Sequence, residues 1–125
     1  MSLGPFSQAS LPFWQALDTL VASHKIVVDR PRGTTHPRYP DEVYPLDYGY
    51  LQGTSADDGG GIDVWIGTLI EKIVGAVIVT VDLHKHDSEI KILLGCTPEE
   101  TRVVLERHNR GKQSALLIER ETKDI

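Results

Sequence analysis

The hydrophobic and polar positions of this chain predict a helix near each end and β-strands between them. Residues 10–24 place their large apolar side chains on one helical face. Ser10 can cap this helix, and Pro12 lies in its first turn, where a missing N–H is tolerated. We interpret the apolar stripe as a packing surface rather than as a ligand site.

Six further segments are rich in β-branched and other apolar residues and predict strands. They are residues 25–30, 48–53, 62–70, 74–82, 89–95 and 114–120. Thr97, Pro98 and Glu100 have the pattern of a capping box with proline at the first helical position, so a second helix should run to about Asn109. Short strands with two peripheral helices indicate an α+β, mainly β fold built as a small closed or partly open barrel.

Composition narrows the class of protein. A hydrophobic fraction of 40% and a charged fraction of 25% are typical of a globular domain, so we expect a single domain over residues 1–125, with residues 1–9 as a disordered start or the remnant of an expression tag. The formal charge of -5 argues against general nucleic-acid binding, and the single cysteine, Cys96, excludes an intramolecular disulfide. The sequence has no apolar run long enough for a membrane span and no signal peptide, so a cytoplasmic protein without a membrane partner is expected.

The most informative segment joins an aromatic strand, residues 44–51, to a glycine-rich loop with acidic residues on both flanks, residues 57–63. Glycines allow a tight turn, so carboxylates on either side of it can converge. Two unit charges ~4 Å apart repel by about 4 kcal/mol even at an effective dielectric constant near 20, and a hard cation such as Mg2+ removes that cost. A solvated acidic hairpin is the alternative interpretation.

A second acidic pair supports the cation site. Asp82 ends one predicted strand and Asp87 begins the next, with a four-residue turn between them. His84 and His86 lie in that turn, and we interpret them as solvated rather than as metal ligands. The two corners together offer four oxygen ligands suited to Mg2+ or Mn2+. They are Asp58, Asp63, Asp82 and Asp87.

These residues resemble the soluble family I inorganic pyrophosphatases. Residues 44–51 read Tyr-Pro-Leu-Asp-Tyr-Gly-Tyr-Leu, close to the family pattern Tyr-Pro-x-Asn-Tyr-Gly-(Phe/Tyr)-Ile. Residues 58–64 follow at the family spacing and read Asp-Gly-Gly-Gly-Ile-Asp-Val, where the family has Asp-Gly-Asp-Pro-x-Asp-Val. The likeness covers residues 25–109 and is most specific over residues 44–64.

The resemblance implies a five-stranded, OB-like closed barrel with an N-terminal and a C-terminal helix. It also implies a homo-oligomer that hydrolyses inorganic diphosphate, or a related phosphoanhydride, with Mg2+, for which Mn2+ can substitute. The four aspartates named above correspond to metal ligands. The resemblance further implies catalytic roles for Asp58, Asp29 and Tyr48. It implies substrate contacts for Arg38, Tyr44 and Lys91, although Tyr44 is equally well explained as a core aromatic.

The chain departs from the family pattern at positions that matter for the chemistry. Gly60 replaces the central aspartate that positions the attacking water, and losing a general base typically costs ~10²–10⁴ in rate. Gly61 replaces the family's proline, and the hairpin that carries a substrate arginine is shortened. Glu89 stands at a lysine position, for which Lys91 is a substitute on the same strand face. The alternative function is therefore a catalytically degenerate homologue that binds metal or phosphate or serves as an assembly module.

Overall fold

A computed structural model describes residues 4–56 and 59–121 of the chain. Its helices and strands, in chain order, are α1 (Gly4–Ala22), β1 (Ile26–Arg30), β2 (Asp47–Leu51), β3 (Ile62–Ile66), β4 (Val74–Asp82), β5 (Asp87–Leu94), α2 (Pro98–Arg107) and β6 (Gln113–Glu119). The first helix begins six residues before the predicted start at Ser10, and residues 1–3 of the expected disordered start lie outside the described part. No helix within residues 4–56 and 59–121 is long and apolar enough to cross a bilayer.

The strands form one six-stranded mixed sheet in the order β1-β2-β3-β5-β4-β6. β3 and β5 are parallel, and the other neighbouring strands are antiparallel. The predicted closed five-stranded barrel is wrong, because this sheet is open. The outer edge of β4 pairs with β6 rather than with β1, so β1 and β6 end as the two edges of the sheet.

Each face of the sheet carries its own apolar core and its own helix. Trp14 and Leu17 of α1 pack in one cluster with alternate residues of β2, β3, β4 and β5. Val104 of α2 packs in the second cluster, with the residues that point to the opposite face. Neighbours in a strand therefore fall in different clusters, as the two-residue period of a strand requires. Three such pairs are Val64 and Trp65, Val77 and Ile78, and Ile92 and Leu93.

The strand register sets which polar side chains meet on the α2 face. Asp63 of β3 is opposite Tyr50 of β2 on one side and opposite Lys91 of β5 on the other. Asp82 and Asp87 are opposite each other at the far end of the β4–β5 hairpin. The central strands therefore hold one acidic residue beside a lysine, and the second acidic pair lies at the turn.

Candidate active site

Lys91 is the centre of a polar cluster on the α2 face. Its ammonium donates hydrogen bonds to Tyr48 Oη (2.9 Å), Asp63 Oδ2 (2.7 Å) and Glu89 Oε2 (2.8 Å). Only 8% of the Lys91 side chain is exposed, against 23% for Asp63 and 16% for Glu89. Three strands thus bring two carboxylates and a phenol to one buried cation.

The cluster fixes the protonation states of Lys91 and Tyr48. Burial lowers the pKa of the Lys91 ammonium, but its neighbours Tyr48, Asp63 and Glu89 more than offset this, so the pKa lies above its usual value. Burial also raises the pKa of the Tyr48 phenol, and the charge of Asp63 acts in the same direction. At neutral pH Lys91 is therefore charged, and Tyr48 keeps its proton as a hydrogen-bond donor.

An aromatic wall stands beside this cluster. The ring of Tyr48 lies 4.5 Å from the ring of Trp65, and the ring of Tyr44 lies 5.9 Å from Trp65 and 5.7 Å from Tyr48. The guanidinium of Arg107, in the last turn of α2, lies 4.7 Å from the centre of the Tyr44 ring. Tyr44 is buried in the α2-side core, which agrees with the interpretation of this residue as a core aromatic.

His108 contacts the aromatic wall through Trp65. Trp65 Nε1 donates a hydrogen bond to His108 Nε2 (3.0 Å), so the ring proton must be on Nδ1, which donates to Gln113 Oε1 (3.1 Å). Burial is the largest cause that lowers the pKa of His108 to about 4, so the ring is neutral at neutral pH. No pattern in the sequence pointed to this contact, since 43 positions separate Trp65 from His108.

Asp82 of the second acidic pair stabilises the hairpin turn. Asp82 Oδ1 accepts hydrogen bonds from the backbone N–H groups of His84 (2.9 Å) and Lys85 (3.0 Å). The bond from Lys85 is the first cause that holds the pKa of Asp82 below its usual value. Asp82 and Asp87 lie four strand positions from the row that contains Lys91, which corresponds to ~13 Å along the strands.

The remaining predicted site residues are dispersed. Asp58 lies outside the described residues. Asp29 is exposed in β1 at the register shift between Val28 and Arg30. Arg38 is exposed in the loop before β2, and its backbone N–H donates to His36 Nδ1 (3.0 Å). Of the predicted set, the described structure brings together Tyr48, Asp63 and Lys91.

Glu89 completes the cluster, and it was considered in the sequence only as a lost lysine. It stands two residues before Lys91, so both side chains lie on the same face of β5. The alternation of charged and apolar residues along Glu89, Ile90, Lys91 and Ile92 carries this signal. Its carboxylate and that of Asp63 converge on the same ammonium.

A divalent cation in this cluster would need carboxylate oxygens as ligands. Among residues 4–56 and 59–121, no group of three or more His, Cys, Asp or Glu side chains is placed to hold a metal ion. Mg2+ nevertheless binds in many proteins through one or two carboxylates with water and substrate oxygens as its other ligands, and Asp63 and Glu89 provide such a pair. The pair fits the ion only if the ammonium moves, because a divalent cation ~4 Å from Lys91 Nζ would be repelled by about 8 kcal/mol at an effective dielectric constant near 20.

A cavity lies apart from this cluster, and the residues that line it differ chemically from the cluster. Its volume is about 750 Å³, and its lining includes Leu69, Ile73, Ala76 and Leu93. None of the four cluster side chains contributes to it. The apolar walls make this cavity a poor site for a phosphate anion.

Comparisons with known proteins identify the architecture. No protein-family model matches the sequence, and no curated protein sequence matches it. Among solved structures, an inorganic pyrophosphatase from Coxiella burnetii matches 79% of this chain and 85% of its own chain, with 14% identity and a TM-score of 0.53. An inorganic phosphatase from Anaplasma phagocytophilum matches 75% of this chain and 81% of its own, with 13% identity and a TM-score of 0.50. At these identities the likeness is one of fold, and the chain has a pyrophosphatase-like fold.

Proposed function

We propose that this protein hydrolyses inorganic diphosphate, or a related phosphoanhydride, to phosphate with the help of Mg2+. One observation supports the proposal above the others. Within a pyrophosphatase-like fold, Asp63, Glu89 and Tyr48 converge on Lys91, and Asp63 is the last acidic residue of the glycine-rich motif. Phosphoryl transfer depends mainly on charge neutralisation and alignment, and a cluster of carboxylates, one ammonium and a phenol can provide both.

Each side chain of the cluster has a role in this proposal. Asp63 and Glu89 would hold the metal ion, which supplies charge neutralisation and lowers the pKa of a coordinated water. Lys91 would donate to a phosphate oxygen, as would the protonated hydroxyl of Tyr48. Both donors are buried, so their hydrogen bonds to an anion would be stronger than in water.

The other predicted residues stay part of the proposal. Asp58 would ligate the metal and act in catalysis. Asp82 and Asp87 would contribute further metal oxygens only if the end of the β4–β5 hairpin moved towards Asp63, since they lie ~13 Å along the strands from the row of Lys91. Asp29 is proposed as a catalytic residue, and Arg38 and Tyr44 as substrate contacts. A cytoplasmic location and a homo-oligomeric state also remain predictions.

Phosphate release tests the proposal directly. The protein should release phosphate from diphosphate when Mg2+ or Mn2+ is present, and Asp63→Asn should reduce the rate by at least about 100-fold if the carboxylate holds the metal. Glu106→Gln is the matched control, because Glu106 is an exposed carboxylate on α2 that is ion-paired with Arg102. Wild-type protein without metal-dependent release above background would contradict the hydrolase proposal.

A degenerate homologue is the second candidate, and Gly60 favours it. The central acidic side chain of the motif is missing, so the chain would bind metal or phosphate without turnover. Calorimetry separates the two candidates. Binding of Mn2+ together with diphosphate, in the absence of any phosphate release, would support the degenerate homologue.

A further inference from the structure

The two carboxylates of the cluster already have a counterion of their own. Lys91 Nζ lies 2.7 Å from Asp63 Oδ2 and 2.8 Å from Glu89 Oε2, so it occupies the point at which both carboxylates converge. The repulsion calculated above prevents a divalent cation from entering while the ammonium stays there. The position therefore accepts one cation at a time.

We propose that Lys91 is an internal cation that competes with the metal ion for Asp63 and Glu89, and that an anionic substrate relieves this competition by drawing the ammonium to itself. The proposal rests on the metal and diphosphate chemistry of the proposed function. It adds a regulatory property of that site, in which metal and phosphate each bind weakly alone and more strongly together.

The direction of the coupling follows from burial. With 8% of its side chain exposed, the Lys91 ammonium cannot move into solvent without a change in the fold, and a buried ammonium without partners is costly. If the metal takes Asp63 and Glu89, Tyr48 Oη is the one acceptor of the three that remains. A phosphate oxygen within reach of Nζ restores the lost charge pairing, and two ligands that favour the same state bind with positive coupling.

The strand geometry keeps this competition local. Glu89 and Lys91 are alternate residues of β5, and Asp63 is the cross-strand partner of Lys91 on β3. A new position of the ammonium within the cluster would therefore be reached by rotation about the side-chain bonds of Lys91. The backbone pairing of the central strands stays as it is.

Titration with Mn2+ tests the competition without any turnover. Isothermal titration calorimetry would compare wild type, Lys91→Met and the control Lys25→Met, which changes an exposed lysine just before β1. We expect Lys91→Met to bind Mn2+ about tenfold or more tightly than wild type, and Lys25→Met to match wild type, because a coupling of this size is typical. Equal or weaker Mn2+ binding by a folded Lys91→Met would overturn the proposal.

A second titration uses the wild-type protein alone and so does not depend on the folding of a variant. Methylene diphosphonate, an analogue of diphosphate that cannot be hydrolysed at the bridge, should strengthen Mn2+ binding by roughly tenfold in wild type. Free analogue also binds Mn2+, so the titration is corrected with a matched blank without protein. A wild-type affinity for Mn2+ that the analogue leaves unchanged would overturn the coupling.

The outcomes distinguish this inference from the proposed function. If wild type releases phosphate but Lys91→Met gains no affinity for Mn2+, the competition is wrong and the hydrolase stands. If wild type releases no phosphate but Lys91→Met gains affinity, the competition stands and the hydrolase is wrong. Lys91→Gln repeats the comparison with a polar side chain that carries no charge.

Discussion

Gly60 lies in the loop before β3, at the position where the pyrophosphatase motif has its central aspartate. Its carbonyl oxygen accepts a hydrogen bond from the Ala56 N–H (2.8 Å), so the loop closes through its backbone without a side chain at this position. A carboxylate can therefore be added without removing this contact.

We predict that Gly60→Asp raises kcat for diphosphate in the presence of Mg2+. A positioned general base contributes ~10²–10⁴ in rate, and an increase of about tenfold or more is expected from a carboxylate that nothing has yet aligned. Steady-state phosphate release measures the effect, with Gly60→Asn as the uncharged control of similar size. An increase that Gly60→Asn reproduces would mean that the loop conformation, and not the carboxylate, limits the rate.

His108 makes the folded protein sensitive to acid. In the folded state burial lowers the pKa of His108 to about 4, while an unfolded histidine titrates near 6.5, so the unfolded chain binds the extra proton between these two values. The contribution of the neutral ring is complete above about pH 6.5 and is lost as the pH falls towards 4. The loss in unfolding free energy from this group is on the order of 3 kcal/mol.

Urea unfolding between pH 7 and pH 4 measures this effect as a difference between variants. In His108→Gln the amide can still accept from Trp65 Nε1 but does not titrate, so the free energy of unfolding should fall less with acid than in wild type. The carboxylates titrate in both proteins, and their contribution cancels in the comparison. Parallel pH profiles for the two proteins would contradict the assignment of a neutral buried ring.

At the scale of elements, the pairing of β1 with β2 requires a glycine at position 49. A Cβ at Gly49 would lie 1.9 Å from the carbonyl oxygen of Val27, a backbone atom of the neighbouring strand. Gly75 in β4 is the opposite case, since a Cβ there would meet nothing within 4 Å. The two glycines therefore provide a matched pair for the same substitution.

Gly49→Ala should lower the free energy of unfolding by about 3 kcal/mol or more, because β1 must move away from β2. Gly75→Ala should change it by no more than about 0.5 kcal/mol. Urea denaturation of both variants gives the two values, with the slope of the transition as a check on the unfolded state. Similar costs for the two substitutions would show that β1 is not held as closely as the structure places it.

The sequence predicted local elements better than their arrangement. The capping box at Thr97 and Glu100 was predicted and is present, since its contacts lie within four residues. The closed barrel was predicted wrongly because strand order depends on contacts between distant segments, and no local pattern states that β6 pairs with β4. The site follows the same division. Tyr48, Asp63 and Lys91 were predicted as site residues, whereas the contact that brings Asp63 to Lys91 and Glu89 depends on the parallel register of β3 and β5.

On the scale of the whole molecule, a bidentate ion pair connects the first helix to the end of the last strand. Arg120 Nη1 and Nη2 donate to the two carboxylate oxygens of Asp18 at 2.8 Å and 2.9 Å, and Nη1 also contacts the Val74 carbonyl oxygen at 3.3 Å. The guanidinium lies 5.9 Å from the centre of the Trp14 ring, within the α1-side core. This contact therefore joins the N-terminal helix to both β4 and the segment that follows β6.

The two partners of this ion pair differ in exposure, so their removal should have unequal costs. Only 3% of the Arg120 side chain is exposed, against 45% for Asp18. Asp18→Ala removes the carboxylate that accepts two hydrogen bonds from a buried guanidinium and should destabilise the fold by about 2–4 kcal/mol, because breaking a buried ion pair on one side is costly. Arg120→Met leaves a half-exposed carboxylate that water can solvate, and the methionine retains apolar contact with Trp14, so a cost below about 1.5 kcal/mol is expected.

The double variant should resemble Arg120→Met alone, since the buried charge is gone in both. Urea denaturation of the three variants and wild type gives the unfolding free energies of this double-mutant cycle. Equal costs for the two single variants would mean that Arg120 is solvated and that the pair does not hold α1 against the sheet.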